Sequence, residues 1–187
     1  MPNYVENEVT ITGDQKILKE IISKYFAEIK SEDTGESILI DLPDLVDVSE
    51  IEKKSDRLLF DFNRVIPMPE ELMQTTSPNS VNAEEMTKKY GYPDWYSWRL
   101  NNWGVKWNNN PYGDTTIKNN KLMFQFDTPW GVPDPVFIKL SLLYPDIEIE
   151  NYVVEEAGFF KGTIKYKNGI IDADIAPYDN CEEPEDE

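Results

Sequence analysis

Phe159-Phe160-Lys161-Gly162-Thr163-Ile164-Lys165-Tyr166-Lys167-Asn168-Gly169-Ile170-Ile171-Asp172-Ala173-Asp174-Ile175 is the stretch whose reading decides the fold. Two alternating runs, 159–166 and 170–175, are separated by Lys167-Asn168-Gly169, and Asn-Gly between such runs is a hairpin signal. A third run, 147–154, precedes them. Antiparallel pairing is therefore expected at the C-terminal end. Working backwards, Pro133 and Pro135 open a helix whose stripe is Val136, Phe137, Leu140, Leu143 and Tyr144. Leu122 to Phe126 reads as a strand returning antiparallel to one carrying Val105 and Trp107, with a polar turn over Asn109–Asp114 between them.

The N-terminal half has both periods. Val5, Val9 and Ile11 alternate with Glu6, Glu8, Thr10 and Thr12, the pattern of a half-buried strand. After Gly13, Asp14 is an N-cap candidate. Ile17, Leu18, Ile21, Ile22, Tyr25, Phe26 and Ile29 then form one apolar stripe, predicting a helix over 14–30. Leu58 to Ile66 reads as a strand ended by Pro67-Met68-Pro69. Residues 70–102 read as helical with a loop at 75–81, Asn82 and Asp94 as N-caps and Gly104 as a stop. Hairpin-joined strands with a few helices imply an α+β fold, its antiparallel sheet backed on one face by helices 14–30 and 134–144. We expect one domain over 1–175 with an acidic insert at 28–56, and an acidic, mobile tail over 176–187. The insert holds ten acids and a short Ile38-Leu39-Ile40 run, placed in a strand or a helical turn.

The chain has 187 residues, 36 Asp+Glu against 18 Lys+Arg and no histidine, for a net charge of −18. At 12% aromatic it can build a core, which argues against wholesale disorder. Without histidine there is no Ser-His-Asp triad, Cys-His pair or His-ligated zinc. Cys181 alone makes no intrachain disulfide, CxxC or zinc knuckle. Direct binding of nucleic acid needs phosphate neutralisation, which this charge opposes. Lys53, Lys54 and Arg57 are interleaved with Glu50, Glu52 and Asp56, so they form no basic patch. The opening residues lack a signal-peptide pattern and no apolar run reaches the roughly 20 residues of a membrane span. A soluble protein of the cytoplasm, without membrane contact, is expected.

Five stretches carry a family resemblance: Met1-Pro2-Asn3-Tyr4-Val5-Glu6-Asn7; Asn63-Arg64-Val65-Ile66-Pro67-Met68-Pro69-Glu70-Glu71-Leu72; Trp95-Tyr96-Ser97-Trp98-Arg99 with Asn102-Trp103-Gly104-Val105-Lys106-Trp107; Phe126-Asp127-Thr128-Pro129-Trp130 followed by Pro133; and Glu155-Glu156-Ala157-Gly158 with Phe160 and Gly162. Together they resemble the YubB-type family, proteins of phages and conjugative plasmids with a ferredoxin-like C-terminal domain. The resemblance spans about two thirds of the chain, skipping the acidic insert and tail. It implies a ferredoxin-like, split β-α-β sheet and residence on a mobile element, in a host cell's cytoplasm. It carries over no catalytic residue.

Four sets of residues bear on function. Tyr96, Leu100 and Trp103 fall on one helix face, with Trp107 beyond, and read as rings filling the space between helix and sheet, or as a stacking platform. Trp98 and Trp130 fit that stripe less well and are the expected exposed contacts for a peptide, nucleotide or other small ligand. Arg99, Lys106, Asp127, Glu155 and Glu156 either form a ligand or Mg²⁺ site or pair with one another to lock helix to sheet. Pro43-Asp44 with Glu52-Lys53-Lys54 matches a loose PD…ExK nuclease pattern, but the flank is too charged for a buried strand.

The acids themselves are the fourth set. Spaced along insert and tail they either keep the chain dissolved or imitate the phosphate rows of a duplex. The sharper expectation is a non-enzymatic inhibitor of the DNA-mimic, anti-defence type. It would occupy the basic groove of a host nucleic-acid-binding or defence protein through Asp33, Glu36, Asp41, Asp44, Asp47, Glu50 and Glu52, with Glu182, Glu183, Glu185 and Asp186 adding long-range attraction. No cofactor and no resident metal are expected.

Overall fold

The computed structural model describes residues 3–31, 37–42 and 58–177. Its frame is set by β1 (Tyr4–Thr12), where Val5, Asn7, Val9 and Ile11 are buried and the intervening residues face outward. β1 pairs antiparallel with both β6 (Lys121–Pro129) and β7 (Glu148–Glu155). Those two strands therefore run parallel to one another with β1 between them, and α6 (Asp134–Leu143) connects them. That is the split β-α-β arrangement. β5 (Asn110–Lys118) extends the sheet beyond β6, while β8 (Lys161–Lys167) and β9 (Ile170–Ala176) extend it beyond β7, giving the order β5-β6-β1-β7-β8-β9. Every pairing is antiparallel. The β8–β9 hairpin turns at Asn168 and Gly169, both at positive φ, as the Asn-Gly pair predicts.

One face of this sheet is covered. α1 (Gln15–Tyr25) follows β1, started by Asp14, whose side chain accepts from the Lys16 amide; it buries Leu18, Ile21 and Ile22. α6 packs against β7 and β8. A second sheet, β3-β2-β4, is made from β2 (Phe26–Ser31), β3 (Ser37–Asp41) and β4 (Leu58–Phe60). Phe26 and Phe60 face each other across it and both touch Phe124 of β6. Phe62, Phe126, Phe137 and Tyr166 continue this ring-to-ring core. Four short helices, α2 (Phe62–Val65), α3 (Glu70–Met73), α4 (Ala83–Tyr90) and α5 (Trp95–Asn102), lie between β4 and β5.

Four expectations need correction. The helix expected over 14–30 ends at Tyr25, and Phe26 turns to extended backbone (φ −105°, ψ 152°). Its continuation is a strand because β3 and β4 pair with it on both sides, supplying the hydrogen bonds that a helix would make internally. The strand expected over 58–66 stops at Phe60: the Asp61 side chain accepts from the Asn63 amide and starts α2. No strand forms at 105–107. β5 begins at Asn110 and takes in most of the expected turn, with a register shift between Tyr112 and Thr116; an edge strand tolerates Pro111 there. The hairpin reverses instead at Asn119 and Asn120, both in the left-handed region (φ 52° and 59°). Asn82 precedes α4 without a side-chain cap, its oxygen accepting instead from the Asn79 amide group.

A polar relay crosses the buried face. The Asn7 side-chain amide donates to Thr128 Oγ1 (2.9 Å) and to the Val5 carbonyl (2.8 Å), and Asn7 Oδ1 accepts from Asn151 (2.9 Å). Nearby on β8, Tyr166 donates its hydroxyl to Asp134 at 2.5 Å. The Asn7 bonds tie β6, β1 and β7 together, and the Tyr166 bond ties β8 to the first turn of α6. Asn7→Ala would strand the Asn151 amide in the core, so we expect a loss of about 1–3 kcal/mol. Urea unfolding checks this: the midpoint should fall with little change in slope. Thr10→Ala, on the same strand but facing outward, should stay within about 0.5 kcal/mol, and equal losses for both would refute the relay's role.

Candidate functional site

β1 faces solvent with Glu6, Glu8, Thr10 and Thr12, and residues in register with them share that open face. Glu6 lies opposite Asp127, and Glu8 lies between Gln125 and Tyr152. Tyr112 of β5 stands opposite Gln125. Glu156, just past β7, belongs to the same end of the sheet, for its amide donates to the Tyr4 carbonyl and its carboxylate accepts from the Tyr4 amide at 2.8 Å.

This end is electrostatically loaded. Partial burial raises the Asp127 carboxyl above its ordinary value, and the negative charges of Glu6 and Glu156 raise it further. Burial, with Asp127, Glu6 and Glu8 adding to it, pushes the Tyr112 hydroxyl up to about 12. Among the described residues no lysine or arginine forms an ion pair with Glu6, Glu8, Asp127 or Glu156. The far end of the same face differs. There Lys165 meets Glu150 at 2.7 Å and Lys167 meets Glu148 at 3.3 Å, around a shallow hollow that also includes Asp172.

An aromatic cluster borders the loaded end. Trp107 and Trp130 lie near-parallel with centroids 6.5 Å apart, and they are 40% and 52% exposed. The Lys106 ammonium sits 4.3 Å from the Trp107 ring, 5.5 Å from Trp130 and 5.7 Å from Tyr96. Gly104 allows this. At φ 81° it reverses the chain after α5 so tightly that a Cβ there would sit 2.9 Å from the Val132 carbonyl. Trp130 itself holds φ 65°, its amide donating to the Asn3 carbonyl.

Of the expected exposed contacts, Trp130 is on the surface and Trp98 is not. Trp98 is only 6% exposed and packs edge-on against Trp103. The phase of the stripe also shifts: Trp98 and Trp103 are buried, Tyr96 is half-buried, and Leu100 is exposed. Arg99 and Lys106 pair with no carboxylate among the described residues; both stack on rings instead. Arg99 lies over Trp95 and Trp103, its Nε without a partner, and burial lowers its pKa.

Asp127 and Glu156 share the loaded end, but Glu155 is not with them. Glu155 is buried and accepts from the Ala157 and Phe159 amides, bracing the β7–β8 turn. Among the described residues no group of three or more Asp, Glu, His or Cys is placed to hold a metal ion. Asp41 is exposed and bonded to Arg64 at 2.5 Å, so it is already matched by a cation. The other insert and tail contacts, Asp33, Glu36, Asp44, Asp47, Glu50, Glu52, Glu182, Glu183, Glu185 and Asp186, lie outside the described residues, as does the Pro43-Asp44…Glu52-Lys53-Lys54 pattern. Glu6 and Glu8 read in sequence only as the wet side of a strand; their place in a site comes from pairing with a strand more than a hundred residues away.

The fold defines a class, an α+β protein with a one-sided antiparallel sheet of ferredoxin-like kind. Comparison agrees: residues 102–187 match the family model described as the ferredoxin-like domain in Api92-like protein. Among solved structures, the crystal structure of a protein api92 from Yersinia pseudotuberculosis, of family-model DUF1281, is similar with a TM-score of 0.53. That similarity covers 96% of this chain and 99% of that one at 12% identity, and it speaks to fold alone. No curated protein matches the chain. No described helix is long and apolar enough to cross a membrane.

Because folding raises the Asp127 carboxyl, its ionisation costs stability as pH rises from the ordinary carboxylate value of 3.8 through the folded value. Asp127→Asn should therefore raise the melting temperature at pH 7. The gain should vanish as pH falls below about 3.9, where both states of the native protein carry a neutral Asp127. Thermal scans of both proteins across that range check it; a destabilising effect at pH 7 would show Asp127 to be paired with a cation.

Proposed function

We propose that this is a non-enzymatic binding protein that docks the basic surface of a partner protein on the loaded end of its open sheet face. The supporting observation is the crowding of acids on that face, in a cross-strand row whose one cation is Lys161, a strand beyond Val154. Like charges directly across a strand pair are destabilising, yet Glu6 and Asp127 are placed so, with Glu8 and Glu156 alongside. A face built only for solubility would intersperse the two signs, as its far end does through Lys165–Glu150 and Lys167–Glu148. A cationic partner relieves the repulsion at the loaded end and is steered there by the field of the acidic chain.

Basic grooves of this kind belong above all to proteins that hold nucleic-acid phosphates. The partner is accordingly a nucleic-acid-binding protein, and occupation of its groove makes the chain a DNA-mimic-like inhibitor. The mobile-element residence implied by the family resemblance fits a host defence protein as the target, in the host cytoplasm.

The test uses purified basic DNA-binding proteins, each preloaded with a fluorescent duplex. The chain should displace duplex from at least one of them. Its affinity should drop at least tenfold between about 0.1 M and about 1 M salt, as the screening length shrinks from about 10 Å to about 3 Å. Glu6→Gln combined with Asp127→Asn should weaken displacement while the fold, read by circular dichroism, persists. Undiminished displacement by that double variant would remove the sheet face from the interface.

A further inference from the structure

We infer that Tyr96, Trp107 and Trp130 form a receptor for an arginine side chain of the basic partner, and that Lys106 is its occupant in the free protein. Three rings gather around one ammonium, all within 6 Å of it. That is the geometry in which aromatic faces attract cations. Among the described residues no carboxylate pairs with Lys106, so the rings hold it by a contact worth only about 0.5–1 kcal/mol at an exposed position. An occupant held so weakly is exchangeable.

Trp130 supplies the second observation. A bulky residue in the left-handed region is strained, and core packing does not repay that strain, because half of the side chain is in solvent. The left-handed backbone, held by the amide bond to Asn3, places the indole beside Trp107 and over Lys106. The third is location. The Asn3-Tyr4 backbone binds the Trp130 amide through one carbonyl and the Glu156 amide through the next. The box and the uncompensated carboxylates thus occupy one end of the sheet.

Those carboxylates decide the ligand. A nucleotide stacking on the indoles would bring its phosphates against Glu6, Asp127 and Glu156, whereas a cation is drawn in. Arginine fits better than lysine, since its planar and weakly hydrated guanidinium stacks on indole faces. This inference rests on the basic partner proposed above and names the side chain that partner inserts.

The probe is a nona-arginine peptide, with a nona-citrulline peptide as the uncharged isostere. In ¹H–¹⁵N spectra the arginine peptide should shift the indole resonances of Trp107 and Trp130, and the citrulline peptide should leave them in place. Lys106→Ala empties the box and should tighten arginine-peptide binding about two- to fivefold. Lys139→Ala, which makes the same charge change on an exposed turn of α6, should not.

Trp130→Gly relieves the φ strain, so it should keep or raise the melting temperature while weakening the peptide. A Trp130→Gly protein that is less stable yet binds undiminished would reduce the ring to packing and overturn the inference. Salt-sensitive peptide binding that depends on Glu6 and Asp127 but leaves both indoles unmoved would also overturn it, with the sheet-face proposal intact. Indole shifts without any duplex displacement would sink the sheet-face proposal and leave the box standing.

Discussion

Asn7 sits in the middle of β1 with its side chain turned into the core, and its amide and oxygen are both engaged, on β6 at one side and β7 at the other. Everything on the open face depends on that placement. Side chains in a strand alternate with a period of two, so a slip of one residue would drive Glu6 and Glu8 inward and expel Val5 and Val9. Apolar contacts alone resist such a slip without regard to partner. A buried amide is more exacting, since a misplaced Asn7 would leave its own donors and those of Asn151 unbonded in a medium where that is costly.

The relay extends beyond β1. A separate bond beside it, from Tyr166 of β8, reaches Asp134 in the first turn of α6, the helix that carries the chain from β6 to β7. Burial holds the Asp134 carboxyl above its ordinary value while the Tyr166 hydroxyl draws it back down. Buried hydrogen bonds therefore fix both strands flanking β1, and a further one ties the crossover between them to β8. This makes the N-terminal strand integral to the C-terminal ferredoxin-like domain: without β1, the inner edges of β6 and β7 would lose their shared partner.

How much of this was legible in the sequence follows from how far each interaction reaches along the chain. The alternation of β1, the Asp14 and Asp94 caps, the Asn168-Gly169 turn and the start of α6 by prolines are local, and they read correctly. β2 was hidden because Phe26 and Ile29 complete a helical stripe, and only pairing with β3 and β4 shows that the backbone has changed. β5 was hidden by turn-like residues, Pro111 and Gly113, that an edge strand with a shifted register accommodates. Trp98 was misplaced because α5 spans only eight residues, too few for spacing alone to fix its buried face. Asp127, Glu156 and Trp130 were each nameable as polar or exposed candidates. Their meeting with Glu6 was not, since it is made by sheet register across the length of the chain.

Two kinds of unrelieved cost coincide at one end of the sheet. Glu6 and Asp127 repel across a strand pair, and Trp130 is held in a backbone region that bulky residues avoid. Either alone could be an accident of a highly acidic or tightly looped chain. Their proximity is harder to dismiss, because one event makes use of both. A cation arriving from outside cancels the repulsion, and it meets a rigid indole already oriented to receive it. The rest of the molecule is arranged to bear those costs: a dense ring-packed core on one side, a hydrogen-bonded relay fixing the register, and lysines that neutralise the far end of the open face.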